Sequence, residues 1–282
     1  MSRVAIVTDT ASDLTQAQAD AWGITIVPLI VSFGEESFKA GTELRIDDFY
    51  RRLLAPGAPF PTTAACSPAA FQQAFKSLLD GGADAVVCIT GGGKLSGTYT
   101  AARIARDAMP EAPVHVIDSD TATASLLLLD QLAAEASAAG QSAEEIVALV
   151  KLRMADIRIF FVVDTLEYLR RGGRISATQA AIGSVLSVKP IITIADGVVE
   201  TVDKPRTMTK ARARLLELLT AEPVERIAVI HTQAPEIQGF AADLARATGV
   251  PIENVSVNLV GSSVAPHIGP GAFGAAVLVA PS

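Results

Sequence analysis

The stretch AVVCITGGGKLSGTYTAARIAR, Ala85 to Arg106, decides how this chain is read. Its opening run, Ala85–Ile89, is apolar and rich in valine and isoleucine, which predicts a short buried strand. From Ser96 onward, SGTYTAARIARDAM has the alanine-rich pattern of a helix. Between them lies a turn with glycines at 91, 92, 93 and 97. Strand, glycine turn and helix form the unit from which α/β sheets are built. Three chemistries use such a turn: a phosphate loop, a nucleophilic serine, or a cradle for another anion.

Spacing separates the three. A phosphate loop needs its lysine followed directly by a hydroxyl residue at the helix mouth, but Lys94 is followed by Leu95. A nucleophile elbow frames its serine as Gly-x-Ser-x-Gly, whereas Ser96 stands directly before Gly97. A serine hydrolase acting on acyl esters would need Ser96 and a base. His267 is the candidate, because it lies in a loop while His115 and His231 fall in strand runs. The sequence identifies no acid as third member. The anion cradle asks least: Ser96 at or near the helix N-cap, free backbone N–H groups and a side-chain-free approach. Plain capping by Ser96 is the simpler alternative.

Outward from this unit, further strands are expected at Arg3–Val7, Ile24–Val31 and Val114–Ile117, with helices between. Phe71, Phe75, Leu78 and Leu79 share one helical face. The helix TATASLLLLDQLAAEASAAG, Thr121 to Gly140, is apolar nearly all round, which predicts burial on two sides. SAEEIVALVKLRMADI opens with a capping box, Ser142 and Glu145. Beyond it come a strand at Arg158–Val163, a helix over Thr165–Arg174 closed by Gly172–Gly173, and a hairpin turning at Asp196–Gly197. Alternating helix and strand then resume. The fold class is α/β in two domains, 1–155 and 156–282, with a mainly parallel sheet in the first.

Composition narrows the function classes. Half of the 282 residues are apolar and 19% are charged, and the net charge is −7. An acidic chain does not suit non-specific nucleic-acid binding, which needs a basic surface. The two cysteines, Cys66 and Cys88, lack metal-ligand spacing and read as buried thiols. The longest apolar helical run, Ser125–Leu129, is far short of a membrane span, and no targeting segment is visible, so a cytoplasmic protein without stable membrane insertion is expected.

Two more clusters offer polar groups. PFPTTAACSP, Pro59 to Pro68, reads as a loop presenting Thr62, Thr63 and Ser67; Ser67 before Pro68 is a ready helix cap, while Thr63 has no such role. YLRRGGR places Arg170, Arg171 and Arg174 around a helix C-terminus, where they complement the dipole. With Lys204, Arg206 and Lys210 they would form a basic surface on an acidic protein.

VTDTASDL, PTTAACSP, LSGTY, VIDSDTAT, DTLEYLRRGGRIS, SVKPII and HIGPGAFG together, in this order and over essentially the whole chain, resemble the motifs of the DegV family. The resemblance implies two α/β domains with a long-chain fatty acid between them and no cofactor beyond that ligand. It implies a binding protein, not an enzyme, that presents the acid to a partner fatty acid kinase subunit. Carried over by motif, Thr63, Ser96 and His267 hold the carboxylate; Thr62, Gly97, Arg170, Arg171, Arg174 and Arg206 are weaker head-group or partner-surface candidates. Two departures stand out: Ala64, Ala65 and Cys66 where the family often has Ser-Gln-Pro, and Gly91–Gly93 where it has serines.

Overall fold

The computed structural model describes residues 3–176, 188–235 and 237–281. In the N-terminal half, β1 (Val4–Asp9), β2 (Ile24–Val27), β6 (Ala85–Thr90) and β7 (Val114–Asp118) form one sheet in the order β2-β1-β6-β7. Every pairing in it is parallel. All six residues of β6 are buried, which is why its sequence is a continuous apolar run and does not alternate. A small antiparallel sheet, β3 (Ile30–Phe33), β4 (Glu36–Lys39) and β5 (Thr62–Ala64), stands beside it with β3 in the middle.

The C-terminal half carries a six-stranded mixed sheet. Its strands are β8 (Ile157–Val162), β9 (Ile191–Ala195), β10 (Val198–Asp203), β11 (Val224–His231), β12 (Val255–Leu259) and β13 (Phe273–Val279), in the order β10-β9-β8-β13-β11-β12. Only β11 and β12 run parallel. The β9–β10 hairpin turns at Asp196 and Gly197, both at positive φ, as two-residue hairpin loops require.

Among the helices, α1 (Gln16–Trp22) and α2 (Ile46–Leu53) precede α3 (Pro68–Asp80), and α4 (Thr98–Asp107) follows the glycine turn. The helix that holds the halves together is α5 (Ala124–Ala138). One side of it packs on β1 and β6, the other on β8, β11 and β13. Leu126, Leu127, Leu128 and Leu129 are all buried, as a helix apolar all round should be when both faces are covered. α6 (Ala143–Met154) begins with the expected Ser142–Glu145 capping box, and α7 (Glu167–Arg171) is a short helix after β8.

Two expectations are corrected. The run Ile24–Val31 is two strands, because the chain passes from one sheet to the other at Pro28, which has no N–H to give a ladder. The segment Pro59–Pro68 is not all loop: Thr62–Ala64 pairs antiparallel with β3. Ser96 stands directly before Gly97, the N-cap of α4, and so lies near the helix mouth as expected. Ser67 does cap α3, accepting the Ala70 N–H at 3.1 Å. Of the motif SVKPII, Ser187 lies outside the described residues.

Candidate functional site

Between the two sheets lies a cavity of about 610 Å³, counting its open mouth. Its walls are mostly apolar: Leu29 and Ala122 from the N-terminal half, Phe161, Leu169, Ile194 and Ile268 from the other. Polar side chains enter at few places, among them Thr63, Ser96, Arg174 and His267.

Thr63 reaches the cavity because it sits on β5. Side chains alternate along a strand, so Thr63 turns inward while Thr62 is exposed. Thr63 Oγ1 and His267 Nε2 are 2.9 Å apart, although 204 residues separate them in sequence. His267 is carried by the short helix Ala265–Ile268, which packs on α7. Burial, and then the charge of Arg174, lower its pKa to about 3, so the imidazole is neutral at physiological pH. Its Nδ1 is buried without a partner among the described residues. Gly172 fills the space beside that atom, and a Cβ there would overlap it. An orphaned acceptor costs less than an orphaned N–H, so the ring proton belongs on Nε2, which donates to Thr63 Oγ1. The Thr63 hydroxyl proton is then free to donate into the cavity.

Ser96 lies in the turn before α4. Its N–H donates to the Gly92 carbonyl at 3.0 Å, and its Oγ accepts the Thr98 N–H at 3.2 Å. An accepting hydroxyl keeps its own proton to donate. Thr63 and Ser96 therefore each offer one O–H to an anion in the same cavity.

The glycine triplet has a different role from the side-chain-free ligand approach read from the sequence. The N–H groups of Gly91, Gly92 and Gly93 are already engaged by Asp9 Oδ2, the Thr121 carbonyl and Asp118 Oδ1, at 2.8, 2.7 and 2.9 Å. A Cβ on Gly92 would come within 3.0–3.3 Å of the Asp120–Thr121 backbone. Close packing against the 118–121 turn requires Gly92 and Gly93, while a Cβ on Gly91 would meet Ala11 at 3.2 Å. Lys94, far from any phosphate role, donates from Nζ to the Asp196 carbonyl at 2.7 Å.

Arg174 closes the cavity's edge. Its Nε and Nη2 donate to the Leu95 carbonyl at 3.1 and 2.8 Å, and Nη1 donates to the Gly172 carbonyl. It thereby ties the C-terminal half to the turn that carries Ser96. The remaining candidates lie off the cavity lining. Arg170 pairs with Glu167 on the surface, Arg171 stacks 3.9 Å over the Phe60 ring, Arg206 is exposed, and Gly97 is the exposed cap of α4.

Sequence reading missed the buried acids behind the cavity. Asp9 accepts the Ala11 and Gly91 N–H groups at 2.7 and 2.8 Å, and burial raises its pKa to about 6. Asp13 accepts the Gly261 N–H at 2.8 Å, joining the two halves, and burial raises its pKa to about 8. Asp130 on α5 is buried and its pKa stands well above the ordinary carboxylate value. The motif VTDTASDL, with one aspartate ending an apolar strand and another four residues on, signalled Asp9 and Asp13; Asp130 lies outside it.

The geometry does not assemble a hydrolase. His267 is bonded to Thr63 and no carboxylate among the described residues contacts its ring; a serine triad needs a base turned to the nucleophile and oriented by an acid. No group of metal-ligating side chains and no helix long and apolar enough to cross a membrane occurs among the described residues.

Residues 3–280 match the model of the DegV family, described as uncharacterised proteins. The chain is 38% identical to a DegV domain-containing protein of Streptomyces coelicolor, over 98% of this chain and 99% of that one. A DegV family protein from Thermus thermophilus, described as fatty acid binding, superposes with a TM-score of 0.87 at 33% identity, covering 99% of this chain and 100% of the other. A stearic acid-binding protein from Eubacterium ventriosum gives 0.87 at 29% identity, over 99% and 98% of the two chains.

Proposed function

The chain belongs to the DegV family, and from that premise we propose that it binds a long-chain fatty acid between its two halves. The observation that carries the reading is the pairing of Thr63 with a neutral His267 in the lining of a mostly apolar cavity. Thr63 and Ser96 donate their hydroxyl protons to the carboxylate, and His267 orients Thr63 from behind. Hydrogen bonds to a charged group contribute about 1.5–3 kcal/mol each. The tail enters the apolar lining, where each buried CH₂ contributes ~0.8 kcal/mol before ordering costs. Such a site requires no nucleophile, metal or cofactor.

The protein is a carrier in this reading. It presents the carboxylate to a partner kinase in the cytoplasm, with Arg171 and Arg206 on the exposed surface that the partner meets and Arg174 at the cavity edge. Division of the chain at 155/156 belongs to the same proposal, because the acid lies where the halves meet.

Native mass spectrometry of protein purified from bacteria should reveal the added mass of a long-chain acid, and Thr63→Ala should weaken loading by about 10- to 100-fold, ~1.5–3 kcal/mol. A protein that is empty when isolated and takes up no fatty acid on challenge ends the proposal. Covalent labelling of Ser96 by a fluorophosphonate probe would replace it with a hydrolase.

A further inference from the structure

Ile194 borders two cavities at once. With Val199, its cross-strand neighbour on β10, it lines the cavity described above. It also lines a second hollow, of about 1240 Å³ counting its open mouth, bordered by residues 119–121 and 193–196. Leu129, Met154, Ile159 and Phe160 give that hollow an apolar lining, and Lys151 and Arg158 add charge to it.

The wall between the cavities is thin. Thr121 lines the second and Ala122 the first; on β8, Phe160 lines the second and Phe161 the first. Both pairs are adjacent in the backbone, which no substitution removes. Among the described residues, Ile194 alone lines both spaces. The hairpin that carries it is pinned at its tip by the Lys94–Asp196 hydrogen bond. Gly197 there lies so close to Asp120 that a Cβ would stand 3.0 Å from its Oδ1. The wall is therefore anchored independently of the Ile194 side chain.

We propose that Ile194 is the chain-length stop of this site: its side chain closes the acyl cavity against the second hollow and sets the longest tail that fits. The inference rests on the fatty-acid reading above. Shortening the side chain joins the two spaces into one channel, and a longer acid then places its terminal CH₂ groups against Leu129, Met154 and Phe160. A bulkier side chain shortens the cavity instead.

The test loads purified wild type, Ile194→Ala and Ile194→Trp with an equimolar mixture of straight-chain saturated acids from dodecanoic to tetracosanoic, read by native mass spectrometry. Wild type should show a sharp upper limit of length. Ile194→Ala should raise the ratio of the acid just beyond that limit to the acid at it by about tenfold, the equivalent of ~1.4 kcal/mol, and Ile194→Trp should move the limit to shorter acids. Ile194→Val loses a single methyl, so it keeps the test alive if the larger changes disturb folding; it should shift the same ratio in the same direction by less. A wild type that binds acids with no upper limit, or variants with the wild-type profile, overturn the length stop alone. A wild type that takes up no acid at all overturns the fatty-acid reading and the stop with it.

Discussion

Two groups of polar side chains, one lining the cavity and one outside its lining, meet burial in opposite ways. On the cavity side, Thr63 and Ser96 are half-buried, each accepts one hydrogen bond, and each keeps a proton to give. Behind it, Asp9, Asp13 and Asp130 are buried completely or nearly so. Asp9 spends both oxygens on backbone N–H groups, and Asp13 spends one on Gly261 across the interface. Asp130 faces the Thr8 hydroxyl, yet neither group reaches hydrogen-bond geometry among the described residues. Asp9 and Asp13 hold the framework, and the hydroxyls are left over for a ligand. Residue type does not separate these roles; unspent hydrogen-bonding capacity at an open face does.

The largest effect expected from this contrast is on the framework side. Asp9→Ala leaves the Ala11 and Gly91 N–H groups buried without an acceptor, which should cost on the order of 3–4 kcal/mol in chemical denaturation. Loss of less than 1 kcal/mol would mean that Asp9 is not a support. Next comes Gly172→Ala, whose φ of −74° suits alanine but whose Cβ collides with His267. Displacing the imidazole should weaken fatty-acid loading by roughly 30- to 100-fold, ~2–3 kcal/mol. Unchanged loading would remove His267 from the site.

Ser96→Ala sharpens the contrast from the ligand side. It removes one donor to the carboxylate but leaves Gly97 as the α4 cap, so loading should fall by about tenfold, ~1.5 kcal/mol, with little change in melting temperature. A drop in stability without a drop in loading would make Ser96 a local cap only.

The smallest effect is a pH dependence. A carboxyl whose folded pKa is raised binds its proton more tightly when folded, so its contribution to stability is lost as pH rises through the folded value. For Asp13 that means loss between 3.8 and about 8; Asp9, raised to about 6, shares only the lower part of this range. His267 acts with the opposite sign and lower down: its pKa falls from 6.5 to about 3, so stability is lost as pH drops through that interval. Between pH 6 and 8 the decline belongs to Asp13 together with Asp130, whose buried carboxyl is also raised well above the ordinary carboxylate value. Asp13→Asn keeps an oxygen for the Gly261 N–H and cannot ionise, so melting curves should lose the Asp13 share of that slope and the variant should be the more stable protein at pH 8. An unchanged slope would place the titration elsewhere.

Much of the framework was legible. The strands at Ala85 and Val114, the doubly buried leucine helix, the Ser142 capping box and the Asp196–Gly197 hairpin follow from local patterns, and the structure has all of them. Pro28 carried a signal against a single strand at Ile24–Val31, since proline cannot donate to a ladder. Strand β5 carried none, because three residues with alternating exposure gain strand geometry only by pairing with β3, about thirty positions earlier. The glycines at 91–93 announced a close approach but not its partner. That partner is the 118–121 turn, brought near by the parallel pairing of β6 with β7.

By itself, the sequence determined the alternation of strand and helix, the glycine-hydroxyl turn at Ser96, and a motif order specific enough to mark the family. Its elements follow from periodicity and capping, which act within a few residues. The tertiary structure decided which polar groups remain free. Thr63 and His267 meet only because α5 packs between the two sheets and α7 places Gly172 against the imidazole. Neutral His267, donating Thr63 and the buried acids behind them all depend on desolvation, and desolvation is a property of what surrounds a residue, which local sequence does not specify.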